Sequence, residues 1–125
     1  MALVYDTGAL VAAERRDRAM WALHDQALVG GIDLVVPVVV LAQAWRGGPQ
    51  HNVSRLLKGC LMIDIDEPMS RQAGALCAAA GTSDIVDALV VVIALRYRAA
   101  VVTSDPSDIG RLATLSGHDL PIRPT

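Results

Sequence analysis

Short apolar runs alternate with longer amphipathic stretches along the chain. The runs at residues 2–5, 34–36, 60–65 and 100–103 are dominated by aliphatic side chains, which is typical of strands buried inside a sheet. A shorter run at residues 121–123 is a candidate for one more strand at an edge. The pattern therefore predicts a sheet of four to five strands.

The stretches between these runs are rich in Ala and Leu, which favour helices, and most of them end at glycines. They predict helices at residues 9–15, 17–28, 37–46, 49–58, 66–80, 84–98 and 107–115. Residues 90–93 are ambiguous, because four consecutive β-branched side chains also fit a buried strand. The length of the segment 84–98, which contains no helix breaker, favours a helix that is buried on most sides.

The order of these elements predicts the fold class. Helices separate the strands along the chain, which indicates an α/β fold with a mostly parallel sheet and helices on both faces. The chain has 125 residues, enough for one core and too few for two, so we expect a single domain over residues 1–125.

Composition and charge exclude few classes of protein. Apolar residues make up 53% of the chain, and its formal net charge is −2. An acidic balance is unusual for a nucleic-acid-binding protein, although bound divalent cations supply a positive field of their own. The longest apolar run, residues 88–95, is far shorter than the roughly 20 residues of a membrane span. Because the first residues also lack the basic segment of a signal peptide, we expect a cytoplasmic protein.

Two aspartates directly follow predicted strands. Asp6 comes after the first strand and Asp105 after the fourth, and sites in parallel α/β sheets lie just beyond the carboxyl ends of strands. If these strands are neighbours, both carboxylates face one pocket. Each residue also fits a simpler role, since Thr-Gly follows Asp6 and Asp105 lies in Ser-Asp-Pro, both common in turns and helix caps.

Asp84 and Asp87 lie three residues apart at the start of the helix predicted at 84–98 and therefore share one of its faces. Because the strand that ends at Asp105 follows this helix, its first turn can present an acid to the same pocket. Asp84 suits a helix cap equally well, whereas Asp87 begins an apolar stretch and needs a partner if it is buried. Three or four carboxylates repel one another unless a hard cation neutralises them, and Mg²⁺ or Mn²⁺ prefers such ligands.

Several segments resemble the motifs of the PIN-domain ribonucleases, in the family's order and over nearly the whole chain. VYDTGALVA resembles the first strand of these proteins, DIVDALV the segment with their third acid, and VVTSDP the strand that ends in their fourth. PVVVLAQAWRG resembles the segment with the second acid. The resemblance implies a PIN-like three-layer α/β/α fold in which Asp6, Asp87 and Asp105 bind the metal, with Thr103 and Ser104 beside the site.

The chain departs from the family pattern at Gln43, where these proteins usually carry Glu. An amide oxygen can ligate a cation or accept a hydrogen bond, but it brings no charge. The resemblance therefore implies a weaker cation site in which Gln43 and Asp84 orient waters or complete the shell. Asp84 is the better candidate to restore the missing charge, because Glu14 lies about two helical turns beyond Asp6.

The function implied by the resemblance is endonucleolytic cleavage of RNA with Mg²⁺, or Mn²⁺ as a substitute, by a toxin of the VapC type. Such a toxin forms a homodimer and is inhibited by a cognate VapB-like antitoxin. Arg46 and the arginines at 15, 16 and 18 are candidates to steer RNA, and they equally suit solvated helix ends. Trp21, Leu23 and Trp45 suit either a protein interface or the core.

Two alternatives belong to other functional classes. A PIN-like domain that has lost catalysis through Gln43 would act as a protein- or RNA-binding module. A phospho-acceptor signalling domain is suggested by Asp64, which also ends a strand, but the chain lacks a Lys after the fourth strand to pair with a phosphoryl group.

Overall fold

The sheet has five strands, all of them parallel, in the spatial order β3-β2-β1-β4-β5. The computed structural model describes residues 1–124, so Thr125, the last residue of the predicted domain, lies outside the described residues. Both the predicted parallel sheet and the candidate fifth strand are confirmed. The strands are β1 (Ala2–Tyr5), β2 (Asp33–Pro37), β3 (Leu61–Ile63), β4 (Ala100–Thr103) and β5 (Ile122–Pro124).

Helices connect each strand to the next, as the sequence predicts. Two helices follow each of the first three strands and one follows β4. They are α1 (Thr7–Glu14), α2 (Arg18–Val29), α3 (Val38–Ala44), α4 (His51–Leu57), α5 (Glu67–Ala80), α6 (Ile85–Tyr97) and α7 (Pro106–Leu115).

The helices form two groups, one on each face of the sheet. Helix α1 packs against α2, α3 and α4, whereas α5, α6 and α7 pack against one another. Right-handed crossovers explain the division, because the chain moves one way along the sheet from β1 to β3 and the opposite way from β4 to β5. The fold is thus the predicted three-layer α/β/α arrangement. The direction changes between β1 and β4, which is where open parallel sheets place their binding sites.

Helix α6 is the central helix of its layer and contacts β1, β2 and β4. All seven residues from Ala88 to Ala94 are buried. The β-branched run at 90–93 therefore lies in a helix buried on all sides, as its length predicts. Together with the fully buried strand residues Val4 and Val101, it forms the middle of the hydrophobic core.

Strand β3 is shorter than the predicted run at 60–65 because its neighbour β2 ends early. Ile63 pairs with Pro37, the last residue of β2, so the residues after Ile63 have no strand to pair with. At the other end, the Cys60 amide donates to Leu57 O within the turn after α4.

Within residues 1–124, no single helix is long and apolar enough to cross a membrane. Helices α5 and α6 reach the required length and hydropathy only as a pair, and the break between them bends the pair by 119°.

Candidate metal centre

Five aspartates gather where β1 and β4 end and where α6 and α7 begin. One of them directly follows β1, one lies two residues after the end of β4, one precedes α6, and two lie in the first turns of α6 and α7. Their carboxylates are close enough for their charges to interact: Asp6, Asp84, Asp87, Asp105 and Asp108.

Asp6 is the most buried of the five, with only 3% of its surface exposed. It is the N-cap of α1, and its Oδ1 accepts the Ala9 amide at 2.9 Å. Burial raises the pKa of the Asp6 carboxyl, and the hydrogen bonds from the Thr103 hydroxyl and the Ala9 amide oppose that rise. The nearby charge of Asp105 raises the pKa further. Asp6 is therefore both a helix cap and a fixed member of a repulsive cluster.

Thr103 connects the ends of the two central strands. Its side chain is fully buried, and its Oγ1 accepts the Asp105 amide at 2.8 Å while the hydroxyl bonds to Asp6. Asp105 is the N-cap of α7, where its Oδ1 accepts the Asp108 amide at 3.5 Å. The side chain of a single threonine thus links the Asp6 carboxylate to the backbone of Asp105.

Asp84, Asp87 and Asp108 form the tightest part of the cluster, since each offers a carboxylate oxygen within 4.8 Å of the other two. Burial is the main cause that raises the pKa of Asp87 to about 7, followed by the charge and hydrogen bond of Asp84 and the charges of Asp6 and Asp105. The pKa of Asp108 is raised mainly by its hydrogen bond to Asp105 and by the charge of that residue. Like charges at such distances are costly without a cation.

Asp108 is the member that sequence reasoning missed. A signal was present, because Asp108 lies three residues after Asp105 in the first turn of a helix, the same spacing that links Asp84 to Asp87. The predicted helix at 107–115 included Asp108, but its rotation about the helix axis depends on how α7 packs against α5 and α6.

The sequence left Asp84 open as a helix cap or a site residue. It occupies the N-cap position of α6, but its side chain makes no capping hydrogen bond. Its backbone amide donates to Thr82 Oγ1 instead. The carboxylate is therefore free to face Asp87 and Asp108.

Gly8 lets the two strand ends approach closely. A Cβ at this position would lie 1.7 Å from Ser104 Oγ and 2.7 Å from Ser104 Cβ. A glycine directly after Asp6 and Thr7 is therefore required for the loop after β4 to pass beside the start of α1.

Gln43 lies beside Thr7, at the start of α1. The Thr7 hydroxyl donates to its Oε1 at 2.5 Å, and Thr7 is the residue that directly follows Asp6. Glu14 lies on the same side and caps α4, where its Oε2 accepts the Val53 amide at 2.8 Å. The negative charge that the family's usual Glu would bring is thus absent at Gln43. Asp108, in the first turn of α7, adds a negative charge close to Asp84 and Asp87.

Arg111 lies beside the cluster. It lines a small pocket together with Asp84, Asp87 and Asp108, and its guanidinium donates to Ala80 O at the end of α5. Its charge lowers the pKa of Asp108, but that effect is smaller than the rise caused by Asp105. The cluster therefore keeps a surplus of negative charge.

The chemistry of the donor set fits a hard divalent cation. All five side chains offer carboxylate oxygens, which Mg²⁺ and Mn²⁺ prefer over the nitrogen and sulfur ligands of softer metals. The raised pKa values of Asp6, Asp87 and Asp108 show that the cluster disfavours its own ionised form, and a bound cation reverses that preference.

The fold is shared with several solved structures. VapBC2 from Rickettsia felis, bound to a DNA fragment from its promoter, is 17% identical with a TM-score of 0.75, over 100% of this chain and 99% of that one. FitAcB from Neisseria gonorrhoeae is 15% identical with a TM-score of 0.67, over 97% and 96%. A toxin–antitoxin complex from Klebsiella pneumoniae is 19% identical with a TM-score of 0.66, over 85% and 88%.

Sequence comparison gives the family directly. No curated protein matches the chain. The family model described as PIN domain matches residues 3–114, which include all five aspartates and Gln43. The chain belongs to the PIN domain family.

Proposed function

We propose that this protein is a divalent-cation-dependent endoribonuclease that acts as the toxin of a toxin–antitoxin pair. One observation supports the catalytic part above all: five carboxylates from the starts of three helices converge at the point where the sheet changes direction. Structural elements that need only caps do not bring like charges together in this way, and perturbed carboxyl groups in a cleft are typical of functional sites.

Asp6, Asp87 and Asp105 would hold Mg²⁺ or Mn²⁺, with Asp84 and Asp108 as further ligands or as acceptors for its waters. When bound, such a cation polarises a phosphodiester and makes water more acidic. Asp6 is prepared for this role because the Ala9 amide and the Thr103 hydroxyl fix its orientation. Arg111 places a guanidinium beside the same pocket, where its remaining N–H groups suit phosphate oxygens.

Cleavage of a labelled single-stranded RNA tests the proposal. We expect cleavage with Mg²⁺ or Mn²⁺, none in EDTA, and a loss of at least about 100-fold in Asp6→Asn and Asp87→Asn, since even outer-shell changes at metal sites cost 10–100-fold. Asp33→Asn is the matched control, because Asp33 is an exposed Asp at the amino end of β2, the opposite edge of the sheet. Activity that persists in EDTA, or equal activity in all three variants, would contradict the proposal.

A second candidate is the binding module that Gln43 suggested. It is favoured by the position of Gln43, which directs its amide oxygen to Thr7 and adds no charge to the cluster. The additional carboxylate of Asp108 argues for retained catalysis. RNA binding by the wild type without cleavage at any Mg²⁺ or Mn²⁺ concentration would favour the module.

For partners, we propose a homodimer and a VapB-like antitoxin, because one structural neighbour is a toxin–antitoxin complex. An exposed apolar groove of about 540 Å³ lies between α3 and α4 and supports a protein partner, with Trp45 39% exposed at its edge. Trp21, by contrast, donates its indole N–H to Ala13 O and packs against His24, so it serves the core.

Co-expression with the adjacent small open reading frame tests the antitoxin. We expect co-purification that Trp45→Glu weakens, and light scattering at micromolar concentration should give a dimer. A strict monomer would contradict the homodimer, and failure to co-purify would contradict the antitoxin.

A further inference from the structure

We infer that a groove next to the carboxylate cluster binds a phosphate of the RNA strand, beside the one that is cleaved. This inference rests on the proposed function and deepens it. The groove has a volume of about 270 Å³ and lies between α1 and the end of α3. We call it the basic groove, and its polar lining consists of Thr7, Glu14, Arg15, Gln43, Arg46 and Gln50.

The basic groove begins one residue from the cluster. Thr7 follows Asp6 directly and lines the groove together with Gln43, to which its hydroxyl donates a hydrogen bond. A strand whose scissile phosphate lies at the carboxylates therefore has its adjacent backbone within reach of the groove.

Gln43 presents hydrogen-bond donors to this groove. Because its Oε1 accepts the Thr7 hydroxyl, its Nε2 carries the two free N–H groups. Within residues 1–124, no acceptor is bonded to Nε2. Donors of this kind suit a phosphate oxygen and repel a cation.

The two arginines of the groove are not neutralised. Within residues 1–124, neither Arg15 nor Arg46 forms an ion pair with an acid, whereas Arg71 and Arg96 do. Glu14 lines the same groove, but its Oε2 is directed to the Val53 amide. Two unpaired guanidinium groups around a concave surface suit phosphate, which they can bind with two parallel hydrogen bonds.

Arg46 is held in a defined loop. Its amide donates to Gln50 Oε1 at 2.6 Å, and its guanidinium uses one donor on Trp45 O at 2.9 Å. Gly47 and Gly48 follow with φ of +78° and +69°, which allows the chain to turn sharply here. Four of the five guanidinium N–H groups remain available to a ligand.

Fluorescence anisotropy of a labelled single-stranded RNA in EDTA tests the groove, because binding is then measured without cleavage. We expect Arg15→Gln and Arg46→Gln each to weaken binding several-fold, and the double variant about tenfold. Each should also lower the slope of log affinity against log salt by about 0.7, the value for one phosphate of a single strand. Arg71→Gln, on the opposite face of the sheet, makes the same change in charge and should leave affinity and slope unchanged.

Gln43→Glu separates a phosphate-binding role from a metal-binding one. We expect it to weaken RNA binding several-fold in EDTA and to leave the affinity for Mn²⁺, measured by calorimetry, unchanged. Tighter Mn²⁺ binding with unchanged RNA affinity would instead place this residue at the cation and overturn its assignment to the groove.

The inference and the proposed function can fail separately. If the wild type cleaves RNA but the arginine variants bind it as Arg71→Gln does, the groove is wrong and the nuclease stands. If the arginine variants lose capture of the antitoxin but not of RNA, the groove is a protein site and the inference is overturned. If the wild type neither binds nor cleaves RNA, both fail.

Discussion

Tyr5 and Asp6 are consecutive, almost completely buried, and belong to two regions with opposite properties. The Tyr5 hydroxyl bonds to His24 Nδ1 at 2.9 Å, and the His24 ring lies edge-on to Trp21 with 5.4 Å between centroids. We call these three residues the aromatic cluster. Asp6, one residue later, belongs to the carboxylate cluster, in which neighbouring acids raise the pKa of Asp6, Asp87 and Asp108.

The two clusters differ in whether contacts within the chain compensate their buried polar and charged groups. In the aromatic cluster, as elsewhere in residues 1–124, no buried side-chain nitrogen or oxygen lacks a hydrogen-bond partner, and these side chains carry no like charges, so the region stabilises the fold without a ligand. In the carboxylate cluster, hydrogen bonds from the Ala9 amide and the Thr103 hydroxyl orient the Asp6 carboxylate. They do not neutralise its negative charge. A region that the fold alone leaves electrostatically unfavourable is where a ligand contributes most, which is why we assign the chemistry to Asp6 and not to Tyr5.

Removing His24 should have the largest effect on stability. His24→Ala leaves a cavity and deprives the buried Tyr5 hydroxyl of its partner, so we expect the free energy of unfolding to fall by about 3 kcal/mol. Urea denaturation measures it. A loss below about 1 kcal/mol would show that the aromatic cluster does not stabilise the fold as we describe.

Filling the space at Gly8 should have the next largest effect. Gly8→Ala forces the loop at Ser104 away from α1, and we expect a loss of about 2 kcal/mol together with reduced RNA cleavage. Ser104→Gly in the same chain removes both clashing atoms and should restore most of the stability. If the double variant is no better than Gly8→Ala, the close approach is not the cause.

Neutralising a carboxylate of the cluster should raise the stability of the protein instead of lowering it. Asp87→Asn relieves repulsion, so in EDTA at pH 8 we expect the free energy of unfolding to rise by on the order of 1 kcal/mol, a modest value because this half-buried group is screened by solvent. Asp33→Asn is the matched control and should change little. A clear loss of stability in Asp87→Asn would mean that the cluster is structural.

The two clusters should also change the stability of the protein in opposite directions as pH changes. We expect this to be the smallest of the four effects on stability. The pKa of Asp87 is raised from 3.8 to about 7, so in EDTA between these values the folded protein binds more protons and stability falls as pH rises. Burial lowers the pKa of His24 below 6.5, so below that pH the unfolded chain binds more protons and stability falls as pH decreases.

Urea denaturation at pH 5 and pH 8 separates the two slopes. Asp87→Asn should gain more over the wild type at pH 8, and His24→Gln should lose less at pH 5. Equal differences at both pH values would contradict the assignment.

The sequence predicted the parts of the site that depend on strand ends. Asp6 and Asp105 could be placed because strand boundaries follow from apolar runs, and α6 could be placed from its length despite residues 90–93. Asp108 could not be placed at the site from the sequence, because the direction of its side chain depends on how α7 packs. The hydrogen bond from Thr7 to Gln43 could not be predicted either, because it joins residues 36 positions apart. The end of β3 depended on where its neighbour stops.

Anomalous diffraction from a crystal soaked in Mn²⁺ tests the central claim most directly. We expect a manganese peak roughly 2 Å from carboxylate oxygens of at least three of the five aspartates. The same soak of an Asp87→Asn crystal should give a weaker peak or none. No peak at the carboxylate cluster at millimolar Mn²⁺, or a peak only elsewhere, would contradict it.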